Sequence, residues 1–299
     1  MKWKQTCLWI VLLLPLLNSP LGARTLSVVA TTRDLAAIAE AVGGDRVEVR
    51  SIAKGSQDPH YVAAKPSYMR LLNRADLLLY NGLQLEAGWL PLLVQGARNP
   101  GLVSLNLSQG INVLEVPRGE ITRAEGDIHP EGNPHYWLDP RNGLSMGIRI
   151  SWQLKALSPM DGPFFDQRLE VFKRGLEEGI QSWEGQLRPL RGREVVTYHK
   201  QWEYLAHWAG LSIVGYVEDK PGIPPAPKHV AELIRRMQER KIRTLLVTSF
   251  VNPQVPQSVA EKAGATMVRL PSSVGGIEGV ETYPSLFEII VSRLVEALK

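Results

Sequence analysis

The alternation of short apolar runs with helical periodicity is the feature that most constrains the fold of this chain. Runs rich in Val, Ile and Leu alternate with stretches of helical pattern, which is typical of parallel α/β units. The predicted strands read LSVVATT, VEVRSIA, ADLLLYNG and GLVSLNLS in the first half, and EVVTY, LSIVGYV, RTLLVTSF and ATMVRL in the second. With 299 residues, the chain is long enough for two α/β domains, each with its own core.

A long, highly charged helical pattern lies between the two halves. It reads FFDQRLEVFKRGLEEGIQSWEGQLRPL and contains three glycines but no proline before Pro189. At 1.5 Å per residue such a helix spans about 35–40 Å, enough to run along two stacked lobes. The alternative is one more surface helix of the first lobe.

The last predicted helix has clear start and core signals. Thr282 is suited to the N-cap position, and Pro284 falls in the first turn, where proline is tolerated. The apolar stripe expected to face the core comprises Phe287, Ile290, Val291, Leu294 and Leu298.

Residues 1–23, MKWKQTCLWIVLLLPLLNSPLGA, have the composition of a secretory signal peptide. A basic start is followed by an apolar run and a small-residue end. The run is short for a membrane span, and Pro15 and Asn18 argue against one, although an uncleaved anchor is the alternative. Cleavage near Ala23 would place the protein in the periplasm.

Charge and cysteine content exclude several classes of function. The net charge of +4 falls to +2 without Lys2 and Lys4, too little to indicate nucleic-acid binding. The only cysteine is Cys7, inside the predicted signal peptide and before its apolar run, where lipid anchoring is not expected. The secreted chain would therefore form no disulfide, and a metal site would use His, carboxylate, carbonyl or water ligands.

Three of the six histidines follow strands or lie in loops. His60 and His199 come after VEVRSIA and EVVTY, at strand ends where open α/β sheets bind ligands. His135 lies in the loop segment NPHYWLDP. Taken singly, each is an ordinary hydrogen-bonded loop histidine, but together they favour a shared site between the two halves.

The other three histidines have more ordinary interpretations. His207 falls off the apolar stripe of KQWEYLAHWAG and is expected to be solvated, and His229 is expected to enter a helix. His129 is intermediate, an ordinary loop histidine being favoured over an accessory or capture ligand.

Four stretches resemble the cluster A-I substrate-binding proteins of ABC transporters for zinc and manganese. They are VVATTRDLAAIAEAVGGDRVEV, DPHYVAAKPSYMRLLNRADLLLYNGLQLEAGWLP, NPHYWLDP and VVTYHKQWEYLAHWAGL. The resemblance implies two lobes, each a parallel sheet flanked by helices, joined by one long rigid helix with the metal in the cleft between them. The implied division is a signal peptide at 1–23, an N-terminal lobe at 24–160, the helix at 161–190 and a C-terminal lobe at 191–299.

The resemblance also implies the ligands and the partner. His60, His135 and His199 would bind the metal, and the protein, a monomer and not an enzyme, would deliver it to the membrane permease of an ABC importer. Many relatives have a carboxylate where this chain has Ser272, and Glu278 and Glu281 lie further on. The fourth position is therefore left open between water and a glutamate.

Two further departures from the family pattern stand out. The histidine-rich loop of many zinc members is reduced to RGEITRAEGDIHPEGNP, with one histidine. Lys200 stands where many relatives have an acidic residue.

The donor set favours zinc as the transported ion. Neutral imidazole suits Zn²⁺, whereas Mn²⁺ prefers carboxylate and water oxygens. A manganese- or iron-specific member of the same family is the alternative. Three histidines with an open position also build catalytic zinc sites, so a secreted zinc hydrolase with Glu203 as base is a further alternative. The third alternative is a binding protein for a chelated metal or another small ligand.

Overall fold

The fold consists of two four-stranded parallel sheets. In this computed structural model, residues 24–117, 119, 126 and 129–299 are described, so the predicted signal peptide at 1–23 lies outside them. The first sheet has the order β2-β1-β3-β4 and contains β1 (Leu26–Ala30), β2 (Val47–Ser51), β3 (Leu77–Tyr80) and β4 (Val103–Asn106). The second has the order β6-β5-β7-β8 and contains β5 (Glu194–Thr197), β6 (Ser212–Tyr216), β7 (Thr244–Thr248) and β8 (Thr266–Leu270). Each predicted strand forms inside its predicted run.

Helices flank both sheets. They are α1 (Arg33–Gly43), α2 (Pro66–Asn73), α3 (Leu90–Ala97), α4 (Pro140–Leu157), α5 (Gly162–Leu187), α6 (Glu203–Ala209), α7 (Pro227–Glu239), α8 (Gln254–Ala263) and α9 (Tyr283–Leu298). Both sheets share one strand order, which reverses direction beside β1 and β5, and loops at such switch points are the usual ligand sites of open α/β sheets. None of the described helices has the length and apolarity needed to cross a membrane.

Helix α5 joins the two lobes, as the sequence predicts. It is 26 residues long and packs on both lobes. In the N-terminal lobe, Phe172 lies so close to Gly147 of α4 that a Cβ there would stand 2.6 Å from the ring. In the C-terminal lobe, Trp183 lies 6.4 Å from Trp208 and 5.5 Å from Phe287 between ring centroids. The alternative of a helix confined to the first lobe is therefore wrong.

Helix α9 begins as predicted. The Thr282 side chain accepts from the Ser285 backbone at 3.2 Å, and the Ser285 side chain accepts from the Thr282 backbone at 2.9 Å, which forms a capping box. All members of the predicted apolar stripe are buried.

Hydrogen bonds between buried groups connect the lobes beside the cleft. The indole of Trp137 donates to the Ser272 carbonyl at 2.8 Å, and the Tyr283 hydroxyl donates to the Trp137 carbonyl at 2.6 Å. Tyr204 of α6 donates to the Asn133 carbonyl at 3.0 Å. The NPHYWLDP segment is thus fixed from the C-terminal lobe.

Candidate metal centre

His60 is oriented by a tight turn after β2. Its backbone N–H and its Nδ1 both lie within hydrogen-bond distance of Asp58 Oδ1, at 2.9 and 2.8 Å. The Trp89 indole donates to the Pro59 carbonyl at 3.0 Å and holds the turn against α3. With Nδ1 engaged by a carboxylate, the Nε2 lone pair of His60 is the one left to bind a metal.

His135 is oriented in the same way by an amide. Asn133 Oδ1 accepts the backbone N–H of His135 at 2.9 Å and contacts Nδ1 at 2.9 Å. Because a backbone N–H can only donate, the amide atom facing the ring is the oxygen, so Nδ1 of His135 must carry the proton. The amide nitrogen of Asn133 donates to Glu203 Oε2 of α6 at 2.9 Å, which fixes this orientation.

The residues after His135 form the start of the next helix. Tyr136–Leu138 make a buried 3₁₀ turn, and Asp139 caps α4 by accepting from the Arg141 backbone at 3.0 Å. The two aromatic residues and the cap therefore fix the histidine loop to the scaffold.

His199 lies directly after β5 and uses a second carboxylate. Its Nδ1 lies 2.8 Å from Glu218 Oε2, just beyond the neighbouring strand β6. The same oxygen accepts the Gly222 backbone N–H at 3.0 Å. Each of the three predicted ligands thus has its Nδ1 engaged by an oxygen acceptor, the arrangement that metal-binding histidines usually have.

The three rings converge in the cleft between the lobes. The ring centroids of His60 and His135 lie 5.1 Å apart, and His199 lies 6.2 Å from each. Imidazole nitrogens on a tetrahedral Zn²⁺ lie about 3.3 Å apart, which places the ring centroids about 5 Å apart. No three His, Cys, Asp or Glu side chains of the described residues stand at the spacing of a closed metal site. The centroid of His199 is farther from His60 and His135, at 6.2 Å, than these two are from each other, at 5.1 Å.

A fourth histidine joins this group. His129 Nε2 lies 3.1 Å from His60 Nε2, with their rings stacked at a centroid distance of 5.2 Å. The structure thus places His129 beside the predicted ligands, with its ring hydrogen-bonded to His60. The only sequence signal was the HPEG turn that places it six residues before His135.

The other two histidines lie away from the cluster. His207 is exposed on α6, as predicted. His229 lies in the first turn of α7, where its Nε2 is 2.8 Å from the Tyr216 carbonyl, which agrees with the helix-entry prediction.

Burial and neighbouring charges shift the pKa values of two of the rings in opposite directions. Burial and the nearby His60, His199 and His129 hold the pKa of His135 well below its usual value. Burial also lowers the pKa of His199, but the hydrogen bond and charge of Glu218 outweigh it, so the net pKa is raised. His135 is therefore neutral at pH 7, whereas His199 is the ring that retains a proton more readily.

The cavity between the histidines is small. Its volume is about 80 Å³, and its lining includes His60, His135, His199 and Ser272. Drug-sized ligands occupy pockets of about 300–1,000 Å³, so this cavity suits an ion rather than a chelate. Among the described residues, Glu203 does not line it, because its carboxylate is turned to Asn133.

Comparison with known proteins identifies the family. Residues 28–297 match the family described as zinc-uptake complex component A, periplasmic (ZnuA). The chain belongs to this family. It is accordingly a metal-binding, substrate-binding component of an ABC metal importer and not an enzyme, which excludes the hydrolase alternative.

Curated relatives carry metal-transporter names. The chain is 25% identical over 287 residues to the manganese ABC transporter substrate-binding lipoprotein PsaA of Streptococcus pneumoniae, covering 93% of this chain and 90% of that protein. It is 26% identical over 265 residues to the metal ABC transporter substrate-binding lipoprotein FimA of Streptococcus parasanguinis, covering 85% and 84%.

Solved structures share the fold. A crystal structure of ZnuA superposes with a TM-score of 0.79 at 23% identity, covering 92% of this chain and all of that chain. A manganese-bound periplasmic metal-binding protein from Candidatus Liberibacter asiaticus gives 0.77 at 22% identity, with the same coverage. These likenesses establish the two-lobed architecture.

Proposed function

We propose that this protein is a periplasmic zinc receptor that binds Zn²⁺ through His60, His135 and His199 and delivers it to the membrane permease of an ABC importer. The observation that supports this most directly is the shared arrangement of the three rings. Each has its Nδ1 engaged by a separate oxygen acceptor, and the rings surround a cavity of ionic size. The ligand nitrogens therefore need little reorientation on binding.

Zinc is favoured by the chemistry of the donors. Imidazole suits Zn²⁺, while Mn²⁺ prefers oxygen ligands. Asp58 and Glu218, two carboxylates that line the cavity, are engaged with ring nitrogens. Neither is left to serve as an oxygen ligand without giving up the hydrogen bond that orients its histidine.

Manganese is the second candidate because several curated relatives are named manganese transporters. A manganese site would need carboxylate oxygens in the cleft. Glu278 and Glu281, which follow the position aligned with the family carboxylate, are both exposed. Manganese binding would therefore require one of these loop residues to move inward, or a carboxylate that lines the cleft, such as Asp34, to give up its hydrogen bonds.

Calorimetric titration of the metal-free protein with Zn²⁺ and with Mn²⁺ tests the proposal. We expect one Zn²⁺ per chain, bound more tightly than Mn²⁺; tighter binding of Mn²⁺ would contradict the zinc assignment. Replacing His60, His135 or His199 by alanine should in each case weaken zinc binding by more than about tenfold. Losing only a hydrogen-bond partner of a ligand already costs about that much, and these variants lose the ligand itself. His207→Ala and His229→Ala are the controls, and equal small losses in all five variants would refute the site.

A further inference from the structure

We propose that His129 is the fourth protein ligand of the transported ion, which is then bound by four imidazoles with no water in its coordination shell. This inference rests on the proposed function and specifies the ligand that the Ser272 position does not provide.

The first support is the geometry of the His129–His60 pair. The two Nε2 atoms lie 3.1 Å apart, close to the spacing of about 3.3 Å between two nitrogens on one tetrahedral zinc ion. The centroid distance of 5.2 Å nearly equals the 5.1 Å between His60 and His135. His129 therefore stands at ligand spacing from His60, although it lines the adjoining small cavity rather than the one between the three predicted ligands.

The second support is the turn that positions His129. The Gly132 backbone N–H donates to the His129 carbonyl at 3.0 Å, and the next N–H, of Asn133, donates to the Leu114 carbonyl at 2.9 Å. Gly132 has φ +105°, and a Cβ there would lie 2.3 Å from a methyl group of Val113. Only glycine fits this backbone, so the turn ties His129 to the segment that carries Asn133 and His135.

The third support is that other groups near the fourth position are already engaged or distant. The Ser272 carbonyl accepts the Trp137 indole, and Glu278 and Glu281 are exposed. Asp58 and Glu218 orient His60 and His199. An imidazole from the N-terminal lobe takes the role that a carboxylate of the C-terminal lobe has in many relatives.

Four neutral nitrogen donors have a defined chemical consequence. They satisfy tetrahedral Zn²⁺ completely and give Mn²⁺ none of the oxygen ligands that it prefers. Asp58 and Glu218, hydrogen-bonded to the rings of His60 and His199, carry two negative charges that balance the double charge of the ion. His129 would therefore act as a specificity-determining ligand as well as a source of affinity.

X-ray absorption spectroscopy of the zinc-loaded protein tests the ligand count directly. The full chain should show four imidazole nitrogens at about 2.0–2.1 Å. His129→Ala should show three, with an oxygen in the fourth place, and its zinc affinity should fall at least about tenfold. His207→Ala, an exposed histidine on α6, is the matched control and should keep four imidazoles.

The outcomes separate this inference from the proposed function. If the full chain already shows three imidazoles and an oxygen, or if His129→Ala leaves both spectrum and affinity unchanged, His129 is not a ligand although zinc binding by the other three stands. If Mn²⁺ binds more tightly than Zn²⁺, the proposed function itself fails. Unchanged thermal unfolding of metal-free His129→Ala would show that its loss of affinity does not come from misfolding.

Discussion

Asp34 and Ser273 form a buried hydrogen bond between the two lobes at the edge of the metal cleft. The Ser273 hydroxyl donates to one carboxylate oxygen of Asp34 at 2.5 Å, and the Val274 backbone N–H donates to the other at 2.9 Å. Asp34 lies in the first turn of α1, while both donors follow β8. These hydrogen bonds join residues that are 239 and 240 positions apart in the sequence and so connect the two lobes beside the cleft.

The first prediction concerns this carboxylate. Burial raises the pKa of Asp34 to about 6, although the hydrogen bonds from Ser273 and Val274 act to lower it. Between about pH 4 and 6 the folded state therefore retains a proton that the unfolded state has lost, and the free energy of unfolding contributed by Asp34 falls as pH rises. Asp34→Asn removes this penalty and should be more stable than the wild type by about 1–3 kcal/mol at pH 7.5.

The gain should disappear near pH 4, where Asp34 is protonated in both states. Urea unfolding of the metal-free protein at pH 4 and 7.5 measures the difference. Asp45→Asn, at an exposed position, is the control and should be neutral at both values. A greater loss of stability for Asp34→Asn at pH 7.5 than at pH 4 would contradict the prediction.

The second prediction concerns the carboxylates behind the ligands. Asp58→Ala and Glu218→Ala remove the acceptors of His60 and His199 Nδ1 without removing a ligand. Each should weaken zinc binding about 10–100-fold, because the rings lose both their orientation and part of their basicity. Competition with a fluorescent zinc chelator measures the change, and Glu239→Ala on the exposed end of α7 is a suitable control. Wild-type affinity in both variants would show that these contacts do not support the site.

The third prediction is the pH dependence of zinc binding. A histidine binds metal only when neutral, so affinity should fall as pH drops below about 6.5. The raised pKa of His199 makes this ring protonate at a higher pH than His135, whose lowered pKa makes it contribute little to the loss. Zinc titrations between pH 5 and 8 should therefore show affinity already declining near neutrality. A constant affinity down to pH 5 would contradict this assignment.

The fourth prediction is that zinc binding moves the lobes only slightly. His199 stands 6.2 Å from His60 and His135, against 5.1 Å between those two, so closure needs a shift of the order of 1 Å. Helix α5 packs on both lobes, and the Asp34 contact joins them beside the cleft. Small-angle scattering with and without zinc should give nearly the same radius of gyration, and a large contraction would refute this picture.

Much of the architecture could be predicted from the sequence because it depends on local periodicity. The eight strands, the long helix α5 and the cap at Thr282 all follow from patterns within a few turns of chain. His60 and His199 could be placed at strand ends for the same reason, since His199 directly follows an apolar run and His60 lies in the loop after one.

The sequence by itself determined the two sheets, the helix between them and three candidate histidines. Backbone periodicity and strand ends depend on residues that lie close together in the chain. Only the tertiary structure decided that His129 lies 3.1 Å from His60, that Glu203 orients Asn133, and that Asp34 meets Ser273. These contacts join residues 69, 70 and 239 positions apart, and no local pattern encodes which loops meet. The packing of the two lobes around α5 brings them together.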